Sequence, residues 1–209
     1  SGVRIHLEKK IPTAAGLGGG SGNAATTLLG LNELFDRPLA HGRLHSIAAT
    51  LGSDINFFLQ DQPALATGRG ENVVALEKFA ALRGASFFLI HPGFGISTPW
   101  AYRELAKFPE ALNGTPGRAK KLIELLQNGD LAAAGKEFYN SLEAPALKKY
   151  PILALYQEFL REHGAAATLM SGSGSTTFAI FPTPSAAAAV VEKFKARFGA
   201  TCWIAVVPI

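Results

Sequence analysis

Residues 11–25 read Ile-Pro-Thr-Ala-Ala-Gly-Leu-Gly-Gly-Gly-Ser-Gly-Asn-Ala-Ala, and no other stretch restricts the fold so tightly. Before it, Val3 to Leu7 alternates apolar and polar residues, as a half-buried strand does; after it, Ala24 to Phe35 carries apolar residues at helical spacing. Linkers lack such flanks. Glycine lets a backbone approach a ligand and turn its N–H groups inward, and the following helix directs its positive end into the same loop. A loop of this kind is suited to polyphosphate. Asn23 is the expected helix cap, and Ser21 closes the loop, either as a second cap or as a hydroxyl ligand to phosphate or Mg²⁺. The dinucleotide fingerprint does not fit, because it needs an acid at the end of a second strand about 20 residues on. The Walker pattern does not fit either, because Gly20 is followed by Ser21-Gly22-Asn23 rather than by lysine.

Composition narrows the classes. With 209 residues, 48% of them hydrophobic, the chain can bury a substantial core. The net charge of +4 suits an anionic nucleotide substrate. The lysine doublets Lys9-Lys10, Lys120-Lys121 and Lys148-Lys149 are scattered, which argues for solvated faces and against a nucleic-acid partner. Cys202 is the single cysteine, so neither an intrachain disulfide nor a thiolate metal cluster can form. His41 and His45 are four apart but lack a third ligand. No leader and no apolar run of membrane-spanning length is visible, so a cytoplasmic protein without a membrane partner is expected, as monomer or homodimer.

The elements predict an α+β chain in two domains, 1–93 and 94–209, with the composition changing near Pro92-Gly93. The first domain has helices over 24–35 and 39–51, a short apolar segment at 55–59, a turn at Gly68-Arg69-Gly70, and strands at 73–76 and 86–91. The second begins with helices over 99–139, broken at Asn113-Gly114 and Gly129, and then a helix over 152–163. It ends as strand 166–170, glycine turn, strand 177–181, helix 185–198 and strand 201–207. Helices are expected on one face of a mostly antiparallel sheet.

Three further stretches carry chemistry. Asp54, in Gly52-Ser53-Asp54-Ile55-Asn56, could accept a proton from a substrate hydroxyl, or could simply make an Asx-turn. Ser171-Gly172-Ser173-Gly174-Ser175 is either a hairpin turn or a second set of backbone donors. Thr98-Pro99-Trp100-Ala101-Tyr102 reads as a helix cap over core aromatics or as a stacking surface for a nucleobase.

These stretches, in this order, resemble the GHMP kinases. The matching segments are Ile11 to Ala25, Leu51 to Leu59 continuing into Ala66 to Glu71, His91 to Tyr102, Asn140-Ser141-Leu142-Glu143 and Met170 to Phe178. The segment from His91 to Tyr102 is similar to the branch that phosphorylates a cytidine-diphosphate-linked methylerythritol in non-mevalonate isoprenoid biosynthesis. The resemblance implies a two-domain fold, with an N-terminal part like domain 2 of ribosomal protein S5 and a ferredoxin-like C-terminal domain. It implies ATP and Mg²⁺ as cofactors and a small, nucleotide-linked substrate. It also implies roles: Asp54 catalytic and in contact with substrate; Pro12, Ala15, Gly16, Leu17, Gly18, Gly19, Gly20, Ser21 and Asn23 around the ATP phosphates, with Ser21 reaching the metal. Lys9 would lie near the adenine, Gly172 and Gly174 would support the nucleotide site, and Thr98, Pro99 and Tyr102 would hold the substrate.

The chain departs from the family pattern in its opening. The family begins with a Pro-x-Lys-x-Asn strand whose lysine pairs with the catalytic aspartate, and that motif is not in this sequence. The chain therefore resembles a member lacking the N-terminal segment, and weak turnover, an unpaired Asp54 and an exposed strand edge are the expected consequences. Another GHMP small-molecule kinase or a non-catalytic nucleotide-binding fragment are the competing expectations. Ala14 stands where glycine is usual, Gly22 where serine is, and Asn56 where proline is.

Overall fold

The computed structural model describes residues 2–112 and 115–209. The chain forms two compact units, one spanning Gly18–Phe79 and the other comprising the chain up to Leu17 together with Ala80–Ile209. The division expected between residues 93 and 94 falls inside the larger compact unit.

The smaller unit opens with α1 (Gly19–Leu34) and α2 (His41–Leu51), followed by a 3₁₀ helix (Ile55–Leu59) and the hairpin β1 (Ala64–Thr67) and β2 (Asn72–Ala75). Its core is Ala25, Leu44, Ala48, Ile55 and Leu59, with Phe58 packed against them. The helix α1 starts five residues before Ala24, and its N-cap is Gly18, at φ +65, rather than Asn23. The cause is packing. A Cβ at Gly18 would sit 2.5 Å from the Phe58 ring, and one at Gly22 would sit 3.6 Å from it. These glycines therefore admit an aromatic ring against the first turn, which offsets their poor helix propensity.

The larger unit is built on an antiparallel sheet in the order β4-β5-β3-β6. Its elements are β3 (Ser86–His91), α3 (Thr98–Leu105), α4 (Pro109–Leu112), α5 (Arg118–Gln127), α6 (Leu131–Gly135), α7 (Glu143–Lys149), α8 (Ile152–Glu162), β4 (Ala167–Met170), β5 (Thr177–Phe181), α9 (Pro184–Phe198) and β6 (Trp203–Pro208). Phe88 lies opposite Ala179 on one side and Val206 on the other. Phe88, Ile90 and Phe181 face the main core with Leu153, Leu160 and Phe194 of α8 and α9. The sequence predicts helices on one face only, but Ala85, Ala167 and Ile180 form a second cluster against which Leu131 of α6 and Phe138 pack. The expected break at Asn113-Gly114 lies outside the described residues.

The strand expected at Val3 to Leu7 is absent. Residues 2–10 carry no regular structure, and Val3, Ile5 and Leu7 are 47%, 61% and 58% exposed. Alternation marks a face, but a strand exists only as a hydrogen-bonded pair, and among the described residues no strand runs beside this segment.

Candidate active site

The glycine motif is divided between the two units. Its first part belongs to the larger one. Ala15 is buried and its carbonyl accepts from Thr176 N at 3.1 Å. Gly16, at φ +76, has its carbonyl held by Ser171 Oγ at 2.8 Å. Thus the Ser171–Ser175 loop is more than a hairpin turn, because it grips the backbone of the first glycine stretch. Pro12 is partly buried and Lys9 exposed.

The second part opens α1 in the smaller unit. Its N-cap, Gly18, brings no side chain to cap it, and no acidic residue lies in its first turn. The first-turn N–H groups of a helix have no partner within the helix, and the helix dipole places positive potential on them. A Cβ added at Gly20 would meet no atom within 4 Å, so that backbone face is open. Leu17, Gly18, Gly19 and Ser21 are partly buried, while Gly20 is exposed. Asn23 sits inside the helix, where its carbonyl accepts from Thr27 Oγ1 at 2.8 Å. A helix start with no side-chain cap and no acid, behind a glycine-rich approach, fits a triphosphate. Mg²⁺ is usually held by one or two carboxylates together with substrate phosphates; Ser21, partly buried in the first turn of α1, brings a hydroxyl oxygen there.

Asp54 precedes the 3₁₀ helix, and its side chain makes no capping hydrogen bond, contrary to the Asx-turn alternative. It is exposed, and Ser53 Oγ donates to its Oδ1 at 3.4 Å. Gly70, at φ +115, lets the β1–β2 turn come close, since a Cβ there would stand 3.2 Å from Asp54 Oδ1. Asn56 ties the same segments together, because its Nδ2 donates to the Glu71 carbonyl at 3.2 Å. The residue standing in place of the family's usual proline therefore braces the segment that carries Asp54.

The substrate candidates lie on α3 of the larger unit. Ser97, not Thr98, caps that helix, accepting from Trp100 N at 3.4 Å. Thr98 and Pro99 are exposed. The two aromatics part ways: Trp100 packs on the core, with Lys149 Nζ 4.2 Å from its ring centroid, whereas Tyr102 is 62% exposed. Tyr102 borders a cleft of about 350 Å³ with Asn140, Ser171, Gly172 and Phe178. His91 is buried, which pushes its imidazole below the usual histidine range, and its Nδ1 accepts from Gly93 N at 3.2 Å.

The residues that sequence reasoning left without a role are Asn140 and Glu143. Asn140 Nδ2 donates to the carbonyls of Met170 at 2.8 Å and Gly172 at 2.7 Å. Glu143 accepts from Met170 N at 2.7 Å and from Gln157 Nε2 at 2.6 Å. Burial raises the Glu143 pKa, and those two hydrogen bonds oppose the rise. Together they anchor the end of β4, where the glycine-serine loop begins. The sequence signal was the Asn140–Glu143 stretch itself; its partners, close to 30 residues away, were not visible in it.

A profile of the GHMP kinases N terminal domain matches residues 1–69, and one of the GHMP kinases C terminal matches residues 122–200. A Synechococcus sp. protein named 4-diphosphocytidyl-2-C-methyl-D-erythritol kinase is 41% identical over 205 residues, which are 95% of this chain and 65% of that protein. A Geobacter sp. protein of the same name is 39% identical over 202 residues, 95% of this chain and 68% of that protein. The crystal structure of a 4-(cytidine 5'-diphospho)-2C-methyl-D-erythritol kinase superposes with a TM-score of 0.76 at 33% identity, covering 97% of this chain and 69% of that one. The chain spans just under two thirds of the length of the Synechococcus relative, 65%. No helix among the described residues is long and apolar enough to cross a membrane.

Proposed function

The chain belongs to the GHMP kinases, and on that premise we propose that it transfers the terminal phosphoryl group of ATP to a hydroxyl of 4-diphosphocytidyl-2-C-methyl-D-erythritol, the compound in its relatives' name. The observation that carries this reading is the start of α1: an N-cap glycine with no side-chain cap, no acid in the first turn, and glycines before it. Phosphoryl transfer asks a protein mainly for alignment and charge stabilisation. Backbone amides from Gly16 to Ser21 hold the phosphates, and Asn23 follows them on α1. Mg²⁺ supplies charge neutralisation when bound, with Ser21 among its holders. Lys9, Pro12 and Ala15 flank the nucleotide, and Gly172 and Gly174 shape the loop that grips Gly16.

Asp54 carries the acceptor chemistry. An exposed carboxylate with no capping duty is free to accept the proton of the attacking hydroxyl. Thr98 and Pro99 receive the polyol end, and Tyr102 stacks on the cytosine. Base-aromatic stacking is worth about 1–3 kcal/mol, which suits a ring left 62% exposed. The protein works in the cytoplasm, as monomer or homodimer, without nucleic acid or membrane.

A substrate panel tests this reading. Acceptor-dependent ADP release with the cytidine-linked polyol, and none with mevalonate or homoserine, is the expected result. Release with either of the latter, and not with the former, assigns the chain to another branch.

A further inference from the structure

Thr98 is the first residue of α3, and Ser97 has taken over the capping of that helix. The Thr98 hydroxyl is instead paired across the fold, with Oγ1 2.7 Å from Ser173 Oγ. Neither hydroxyl has another hydrogen-bond partner among the described residues. Ser173 is itself held firmly. Asn140 Nδ2 takes the carbonyls of Met170 and Gly172, and Asn140 Oδ1 accepts from Leu142 N at 3.0 Å, so the amide is fixed at both ends. Gly174 N donates to Ser171 O at 2.9 Å and closes the turn around Ser173. Gly172 and Gly174, at φ +54 and +85, adopt backbone that other residues rarely take.

We propose that Ser173 is a positioning residue for the acceptor: its hydroxyl fixes the direction of the Thr98 hydroxyl, and Asn140 fixes Ser173. This rests on the reading of Thr98 as an acceptor contact. A hydroxyl has one proton and two lone pairs, and alone it rotates. Whichever of the two donates, their bond occupies one valence of Thr98 and aims those that remain. Threonine's branched Cβ already restricts χ1, so the added bond completes the orientation. A group oriented before binding avoids an ordering cost when substrate arrives.

The test is calorimetric titration of 4-diphosphocytidyl-2-C-methyl-D-erythritol into this chain saturated with a non-hydrolysable ATP analogue. Ser173→Ala is expected to weaken acceptor binding by about 3- to 10-fold, the range of one neutral hydrogen bond, with nucleotide affinity and melting temperature unchanged. Thr98→Ala gives a comparable loss, Thr98→Ser retains most of the affinity, and the Thr98→Ala/Ser173→Ala double variant is no weaker than Thr98→Ala alone. Unchanged acceptor affinity in Ser173→Ala, or losses that add in the double variant, overturns the inference while leaving the kinase reading intact. Failure of the unaltered chain to bind this acceptor overturns the reading and the inference together.

Discussion

Ser171 holds Gly16 in place: its hydroxyl donates to the Gly16 carbonyl at 2.8 Å across 155 residues of sequence. The fit leaves no room for a side chain. A Cβ on residue 16 would collide with the Ser171 carbonyl oxygen and come within 3.0 Å of Gly174 N, on a backbone at φ +76. Gly16→Ala therefore combines left-handed strain with overpacking and is expected to cost at least ~2 kcal/mol. Urea denaturation checks it, and a midpoint unchanged from the parent protein would refute the tight-contact account of the two glycine loops.

Ala14 sits at φ +52, in the left-handed region where the family usually has glycine. An L-residue there costs roughly 1–2 kcal/mol, and glycine gives back about 0.5–1 kcal/mol through the freedom of the unfolded chain. Ala14→Gly should stabilise the protein by about 0.5–1 kcal/mol, read as a higher melting temperature. A lower one would mean that the Ala14 methyl makes a contact worth more than the strain.

Glu143 makes stability depend on pH in a defined direction. Burial raises its pKa in the folded protein, so the fold binds this proton more tightly than the unfolded chain does. Its favourable contribution is complete below the unfolded glutamate pKa of 4.5 and is lost as pH rises through the folded value. Glu33, Glu71, Glu104 and Glu137 shift downward and act in the opposite sense, so the informative quantity is a difference between proteins. The stability of Glu143→Gln relative to the parent should climb with pH across that window. A difference that stays flat from pH 4 to neutral, in about unit steps of chemical denaturation, contradicts the assigned burial effect.

Much of this fold is legible in the sequence. The apolar runs 86–91, 177–181 and 201–207 announce the central sheet: adjacent residues of the first two pack on the two cores, and Cys202, Ile204 and Val206 of the third pack on the main one at every second position. The failures share a physical origin: they depend on partners distant in sequence. Val3 to Leu7 has the pattern of a strand without a neighbour to pair with among the described residues. Helix α1 begins inside the glycine cluster because Phe58 packs there, which no local propensity records. At the candidate site, the glycine pattern picks out Gly16, whereas Asp54 and Thr98 keep two readings each until the resemblance assigns them roles. Ser173, Asn140 and Glu143 were not, because an amide or a hydroxyl shows its role only once its partner is known.

The most direct test of the kinase account is phosphoryl transfer by the parent chain and by Asp54→Ala, with the phosphorylated acceptor detected by mass spectrometry so that slow turnover still registers. The account predicts product from ATP, Mg²⁺ and the cytidine-linked polyol, with kcat lower by about 10²- to 10⁴-fold in Asp54→Ala and ATP affinity little changed. Equal product from both proteins, or no product from a chain that binds ATP and acceptor, would contradict it.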